Sequence, residues 1–195
     1  MTLTSEEASL FFEIYFSLLD YTNSKYDINE LDIIECVQNQ LEMPYMLIME
    51  IADYLWDHIS IIDEFIEDID FTQEAIDILL NWKKRRRGRF LVERNLKKGS
   101  ILIDIDNQDV YLVKGLISSI EDMVPYTPIM IETTLIPFKD NIVTDGLLKN
   151  YNIQFGKGSK SAFKQTYMNA KNNDLIISKW EYKERCVNNK KLVTM

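Results

Sequence analysis

A short segment rich in glycine and lysine, Phe-Gly-Lys-Gly-Ser-Lys-Ser at residues 155–161, is the strongest local signal for chemistry. It follows a predicted strand and opens a predicted helix. Glycines let a ligand approach the backbone, the first N–H groups of a helix point outward, and lysine and serine side chains add donors, so the combination favours an anion such as phosphate. We therefore predict an anion-binding loop made of Gly156, Lys157, Gly158, Ser159, Lys160 and Ser161. The alternative that the sequence leaves open is an ordinary strand-to-helix turn capped by a serine.

This loop does not match the two best-known phosphate-binding patterns. The spacing of GxxxxGK[ST] fails, and the dinucleotide pattern GxGxxG lacks its third glycine. The sequence therefore predicts an anionic ligand and no cofactor.

A run of cations at residues 83–89 is the second candidate. With one residue from the predicted C-terminal helix it defines a basic patch consisting of Lys83, Lys84, Arg85, Arg86, Arg87, Arg89 and Lys164. Such a patch could bind nucleic-acid phosphates. It could also neutralise the acidic helices that precede it, and we favour this interpretation because the acidic partner is already present in the chain.

The remaining candidates are weaker. Asp145, just after a predicted strand, is the one acid that we nominate for catalysis. The only histidine, His58, is predicted on the apolar face of a helix and is therefore expected to be buried or at an interface. Asp104, Asp106 and Asp109 are spaced like the start of a calcium loop, but glycine is missing at position six and glutamate at position twelve, so we predict a hairpin turn and no metal site.

The charge changes sign at residue 83. Up to Trp82 there are 19 Asp and Glu against one basic residue, Lys25, whereas from Lys83 onward 21 Lys and Arg stand against 12 acidic residues. The net charge of −9 conceals this asymmetry. Such a charge asymmetry is typical of chains in which the two halves create electric fields of opposite sign. We predict an acidic helical region at 1–88, a basic β-rich domain at 89–183 and a polar tail at 184–195.

Four helices are predicted in the acidic region. A capping box at Thr4 opens the first. The second carries an inward stripe of Leu31, Ile34, Val37 and Leu41. The third follows Pro44 and runs past residue 65 as one long amphipathic helix. Thr72 caps the fourth, which the cationic run closes with Gly88 as its stop.

After residue 90 the period changes to that of strands. Strands are predicted at 90–92, 100–105, 110–117, 129–136, 142–148, 153–155 and 175–180, with a hairpin turn at 106–108. A helix at about 159–171 should pack on the sheet through Phe163 and Tyr167. The predicted fold class is α+β, with about four helices followed by a small, mostly antiparallel sheet or partly closed barrel that carries one packed C-terminal helix.

Residues 111–174 resemble the core of an uncharacterised prokaryotic protein family. The shared motifs are Tyr111-Leu112-Val113, Gly115-Leu116, Ile131-Glu132-Thr133, Pro137-Phe138-Lys139, Ile142, Asp145-Gly146-Leu147-Leu148 and Phe155-Gly156 with Gly158. Upstream, Leu55-Trp56, residues 62–66 and Trp82-Lys83 extend the similarity to about residues 50–175. The resemblance implies the two-part layout and implies no activity. The family loop is more glycine-rich, whereas Lys157 stands between the glycines here.

Several classes of protein are excluded or disfavoured. The longest apolar runs are far shorter than the roughly 20 residues that span a membrane. Residues 1–7 lack the basic region of a secretory signal. Two cysteines, Cys36 and Cys186, without a CxxC partner suit free thiols in a reducing cytoplasm. We predict a cytoplasmic protein that spans no membrane.

Three hypotheses on function follow. The leading one is a non-enzymatic binding protein whose basic half recognises an anionic partner, such as a nucleic acid. The alternative is a dimerisation module in which acidic and basic surfaces dock, giving a homodimer. The third is an enzyme that acts on a phosphorylated small molecule at the 156–161 loop with Asp145.

Overall fold

A computed structural model describes residues 1–180 of the 195-residue chain. The fold is α+β, as predicted, and within this range it has seven helices and six strands. The helices are α1 (Ser5–Tyr26), α2 (Ile33–Gln38), α3 (Tyr45–Asp57), α4 (Ile61–Asp68), α5 (Gln73–Trp82), α6 (Ile120–Met123) and α7 (Lys157–Asn172). The strands are β1 (Arg86–Leu96), β2 (Gly99–Asp104), β3 (Val110–Val113), β4 (Ile129–Phe138), β5 (Asn141–Thr144) and β6 (Lys149–Tyr151). The predicted tail at 184–195 and Cys186 lie outside the described residues.

The first helix begins as its sequence predicts. Thr4 Oγ1 accepts a hydrogen bond from the Glu7 backbone N–H at 3.2 Å, and Glu7 Oε2 accepts one from the Thr4 N–H at 3.0 Å. This capping box satisfies two N–H groups that a helix start otherwise leaves without partners. Phe11, Leu18 and Leu19 are fully buried, so α1 forms the centre of the helical part.

The predicted long third helix is wrong, because the chain breaks it into α3 and α4. His58 ends α3 with φ −119° and ψ 62°, and its N–H bonds back to the Tyr54 and Leu55 carbonyls. The break lets Ile61, Ile62 and Phe65 of α4 turn back into the same core as Leu55. Of the two alternatives for His58, burial within the chain is wrong: the residue is exposed, and its ring stacks on that of Tyr54 with the ring centres 4.2 Å apart.

The predicted inward stripe of the second helix is largely wrong as well. Leu31 is buried, but Ile34, Val37 and Leu41 are 39%, 45% and 53% exposed. Helix α2 is shorter than predicted: it has only six residues, so Leu31 precedes it and Leu41 follows it. Within α2 only Ile33 is buried.

The cationic run does not simply end a helix. Thr72 caps α5 as predicted, and α5 ends at Trp82 with Lys83 as its C-cap. Strand β1 then begins at Arg86, so Gly88 lies inside the strand, opposite Thr133 of β4, and stops no helix. The predicted boundary between residues 88 and 89 therefore falls inside β1.

The six strands form one antiparallel sheet that curls into a half-barrel. The order is β3-β2-β1-β4-β5, and β6 also pairs with β4. The curl brings β3 near β5, where the Lys114 N–H donates to the Ile142 carbonyl at 2.9 Å. Inside, Phe90, Leu102 and Leu135 form a core that α6 covers through Ile120.

Four strand predictions in this half need correction, and the first is the strand predicted at 110–117, which ends at Val113. The last edge strand is Lys149–Tyr151 instead of 153–155, and the strand predicted at 142–148 ends at Thr144. Residues 175–180 add an isolated bridge at Ile177 and no strand. The hairpin turn at 106–108 is confirmed, because the Asp104 carboxylate accepts the Asp106 N–H at 2.8 Å.

Helices cover the outer face of the half-barrel at two separate places. Helices α1–α5 share a core with Ile136, Phe138 and Val143. Helix α7 packs elsewhere on that face, where Tyr167 and Ala170 join Leu91, Ile101 and Ile103, with Phe163 partly buried beside them. The predicted packing of this helix is therefore confirmed.

Candidate functional site

The seam between the acidic helices and the start of β1 holds part of the cationic run. Lys83 Nζ lies 2.6 Å from Asp63 Oδ1 of α4. The Arg87 guanidinium lies 2.6 Å from Asp53 Oδ1 and 2.6 Å from Asp57 Oδ1, both at the end of α3. These ion pairs agree with the favoured interpretation for Lys83 and Arg87, which neutralise acidic helices of the same molecule.

The other cations of the run point in several directions. Arg85 donates to the Trp56 carbonyl, and Lys84 Nζ lies 2.6 Å from Asn81 Oδ1. Arg86 pairs with the Asp104 carboxylate at 2.5 Å and 3.0 Å. Burial alone would raise the pKa of Asp104, but the Arg86 guanidinium and two backbone N–H groups hold that pKa below its usual value. Arg89 is exposed and lies opposite Glu132 on β4.

Asp145 lies where the helical part meets the half-barrel, directly after β5. The residue is 4% exposed. Its Oδ2 accepts the Trp56 indole N–H at 2.8 Å, and its Oδ1 accepts the Leu147 backbone N–H at 3.2 Å. Burial raises the pKa of Asp145 to about 6, although the bonds from Trp56 and Leu147 act in the opposite direction.

A small cleft of about 70 Å³ opens beside this carboxyl group. Its lining consists of Met49, Asp53, Arg87, Glu132, Thr133, Thr134, Asp145, Leu147 and Lys149. Burial raises the pKa of Asp53; Arg87 lowers it, and Asp57 and Glu132 raise it further. Three carboxylates therefore face two cations in the cleft.

The cleft has the wrong size and charge for a phosphorylated metabolite. Ligand pockets usually enclose about 300 to 1,000 Å³, whereas one water takes about 30 Å³, so this cleft has room for a few waters only. An excess of carboxylates also repels phosphate. The enzymatic role nominated for Asp145 stays a prediction without support from this geometry.

The predicted anion-binding loop is the exposed start of α7. Gly156 is the N-cap, no side chain caps the helix, and Lys157 is the first helical residue. The alternative of a serine cap is therefore wrong, because Ser159 and Ser161 lie within the helix. A Cβ added at Gly156 or Gly158 would meet no atom within 4 Å, so the surface is open to a large partner.

Lysines line one side of α7. Lys157, Lys160, Lys164 and Lys171 are all exposed, and the helix contains no acidic residue. Their spacings of three, four and seven residues place them within one narrow arc of the helix. None of the four forms an ion pair with a carboxylate of residues 1–180. The structure thus places Lys164 beside the predicted loop and separates it from Lys83 and Arg87.

The pairing of Trp56 with Asp145 is the feature that the sequence alone does not reveal. The two residues are 89 positions apart, and no local pattern links an indole on a helix to a carboxyl group after a strand. Glu132 was missed for a similar reason, because its partner Tyr151 belongs to a strand that was predicted elsewhere.

Within residues 1–180, no group of three or more His, Cys, Asp or Glu side chains is arranged to hold a metal ion. No helix there combines the length and apolar character needed to cross a membrane.

Comparison of the chain with protein-family models, with curated proteins and with solved structures finds no match. The resemblance to an uncharacterised family therefore stays a prediction, and the function must be argued from the geometry of the chain.

Proposed function

We propose that this chain is a non-enzymatic binding protein whose β-rich half recognises an anionic polymer, a nucleic acid, through the exposed lysine side of α7. The observation that supports the proposal most is the contrast between two cationic groups. Lys83 and Arg87 are engaged by the acidic helices, whereas the α7 lysines are exposed and have no ion pair among residues 1–180.

The length of the lysine row favours a polymer over a single phosphate. Lys157 and Lys171 are 14 residues apart, which is about 21 Å along a helix that rises 1.5 Å per residue. A small anion contacts one or two of the lysines, whereas a nucleic-acid strand offers a phosphate at roughly every 3.4 Å of its axis. Helix α7 can therefore engage several phosphates at once, and its open N-terminus adds backbone N–H donors.

Neighbouring cations extend this surface. Lys97 and Lys98 are exposed in the turn between β1 and β2, the strands on which α7 packs. The Arg94 guanidinium lies 4.2 Å from the centre of the Tyr167 ring of α7, but its charge is paired with the Glu93 carboxylate. The acidic helices α1–α5 cover a separate part of the sheet from α7.

Binding of labelled DNA and RNA by the full chain, followed by fluorescence anisotropy at several salt concentrations, tests the proposal. The test variant is Lys160→Gln with Lys164→Gln, and the matched control is Lys139→Gln with Lys179→Gln, since Lys139 and Lys179 are already paired with Glu74 and Asp140. Both double variants lose the same charge. We expect only the α7 variant to weaken binding and to reduce the slope of log K against log salt by about 2.

Two results would overturn the proposal. One is an absence of binding to both nucleic acids at about 50 mM salt, where phosphate contacts are strong. The other is equal weakening by the two double variants, because that would assign the effect to net charge alone.

A second candidate function, self-association, is favoured by acidic residues towards the opposite end of the chain. The half-buried Asp20 and the exposed Asp32 and Glu35 have no ion pair among residues 1–180 and could meet the α7 lysines of a second copy. Light scattering at low and high salt tests this candidate. A monomer under both conditions would eliminate it.

A further inference from the structure

We infer that the acidic helical part carries a docking surface for a cationic amphipathic helix of a protein partner. The surface lies on α1, α2 and α4, and we name it the α2 groove. This inference is independent of the proposed binding of an anionic polymer, which involves the other half of the chain.

The α2 groove has an apolar floor that the fold does not cover. It measures about 650 Å³ and is lined by Ser17, Asp20, Tyr21, Ser24, Lys25, Ile34, Asp68 and Ile69. Of these, Ile34 and Ile69 are 39% and 42% exposed; Val37, three residues after Ile34 on α2 and outside this lining, is 45% exposed. Scattered exposed apolar residues are common on proteins, but a groove with adjoining apolar residues marks an interaction site.

The apolar residues of α2 are held in a fixed arrangement. Ile34 and Val37 are three residues apart on the helix, and the Leu41 N–H bonds to the Cys36 carbonyl at 2.9 Å just after it. Gln40 between them adopts the left-handed conformation, with φ 54°. This closure of a helix end places Leu41 against the last turn, so the three side chains form one short apolar row.

The charges at the α2 groove are mostly negative: Asp20 and Asp68 line it together with Lys25, and further acidic residues lie on or next to α2. Asp20, Asp32, Glu35 and Glu42 form no ion pair with a cation of residues 1–180. Lys25, the one basic residue before Lys83, is held by Glu64 at 2.9 Å and Asp68 at 3.2 Å. Burial and the neighbouring Asp32 raise the pKa of Asp20, which agrees with an uncompensated negative field.

The charge and the shape of the α2 groove together indicate which kind of partner binds there. A negative rim repels nucleic acid and anionic lipid and attracts lysine and arginine. Exposed apolar residues that begin in the groove at Ile34 and continue along α2 suit the apolar side of another helix, with anchors spaced three, four and seven residues apart. The α7 lysines of a second copy could meet the acidic residues, but they would leave these apolar residues without a partner, because Met168 is the only large apolar side chain that α7 exposes beyond about a third.

A synthetic helical peptide serves as the probe. It has about 18 residues, long enough to be helical when bound, with leucines on one side and lysines on the other. A second peptide of identical composition has its leucines distributed around the helix. Fluorescence anisotropy measures the binding of each labelled peptide to the full chain.

The test variant replaces Ile34, Val37 and Leu41 by serine, and the matched control replaces Leu80, Ile117 and Leu175 by serine. All six side chains are exposed, so both variants should fold, and their melting temperatures check this. We expect the α2 variant to bind the amphipathic peptide at least about tenfold more weakly, and the control to stay within about twofold of the wild type. The scrambled peptide should also bind the wild type about tenfold more weakly.

Several results would overturn the inference. These are equal binding of the two peptides, unchanged binding by the α2 variant, or no binding of the amphipathic peptide at about 100 µM, a weak affinity by any standard. A dimer in light scattering that the α2 variant abolishes would instead assign the groove to a second copy. Nucleic-acid binding should be the same in the α2 variant as in the wild type, so failure of one proposal does not imply failure of the other.

Discussion

The buried carboxyl group of Asp145 should make the stability of the protein depend on pH, and Asp145→Asn should remove that dependence. The folded pKa of about 6 lies above the ordinary value of 3.8 because the group is buried. The folded state therefore holds a proton that the unfolded state releases between these two values. The stabilisation by protonated Asp145 is complete below about pH 4 and is lost as the pH rises through about 6.

The size of this effect follows from the two pKa values. They differ by a little more than two units, and each unit corresponds to about 1.4 kcal/mol, so ionisation of Asp145 should cost about 3 kcal/mol of unfolding free energy by pH 8. Asparagine does not titrate. It also alters the hydrogen bonds to Trp56 and Leu147, but that cost is a constant offset that does not vary with pH.

Urea unfolding of both proteins from pH 4.5 to pH 8 measures the effect. The other carboxyl groups titrate in both proteins, so the difference in unfolding free energy between Asp145→Asn and the wild type isolates Asp145. Between pH 4.5 and pH 8 we expect that difference to shift in favour of the variant by about 2 kcal/mol; the other roughly 1 kcal/mol of the effect falls below pH 4.5, where the carboxyl group of the unfolded chain also titrates. In NMR spectra of the folded protein the Trp56 indole N–H should titrate with a midpoint near pH 6, whereas the indole N–H of Trp82, buried without a partner among residues 1–180, serves as the control.

A difference that stays constant over this range would refute the reasoning, because it would mean that folding does not change the pKa of Asp145. A shift in favour of the wild type as the pH rises would refute it more strongly. That result would show that Trp56 and the backbone stabilise the charged form by more than burial destabilises it.

Two further predictions concern charge and backbone geometry. Arg86→Gln should lower the unfolding free energy by about 3 kcal/mol, because it leaves the fully buried Asp104 carboxylate without its cation. The control Lys179→Gln breaks the exposed pair with Asp140 and should leave urea unfolding unchanged. Similar losses of unfolding free energy in both variants would contradict the prediction. Gly115→Ala should destabilise by about 2 kcal/mol, because its Cβ would lie 2.0 Å from the Ser118 carbonyl oxygen. Gly158→Ala should stabilise the protein by about 0.5 kcal/mol, because its Cβ would meet no atom within 4 Å and alanine favours the helical conformation. Thermal unfolding that ranks the two glycine variants in the opposite order would refute both predictions.

The sequence alone determined the features that depend on near neighbours in the chain. The capping box at Thr4, the start of α5 after Thr72 and the turn at 106–108 were predicted because each needs only residues within a few positions. The α+β class and the half-barrel were predictable for a related reason, since the period of apolar residues changes from that of helices to that of strands.

Only the tertiary structure decided which charges are neutralised and which side chains remain uncovered. Periodicity identifies an apolar side but not its partner, so it assigned Ile34 and Val37 to a core that the short α2 does not reach. Likewise, a row of cations in the chain gives no indication that Arg87 meets α3 while Lys164 stays exposed on α7. Ion pairs between distant residues depend on how helices and strands pack, and packing is a property of the whole chain. For that reason the sequence predicted an anionic partner in general terms, whereas only the structure distinguishes Lys83 and Arg87, which pair with acidic helices, from the exposed lysines of α7.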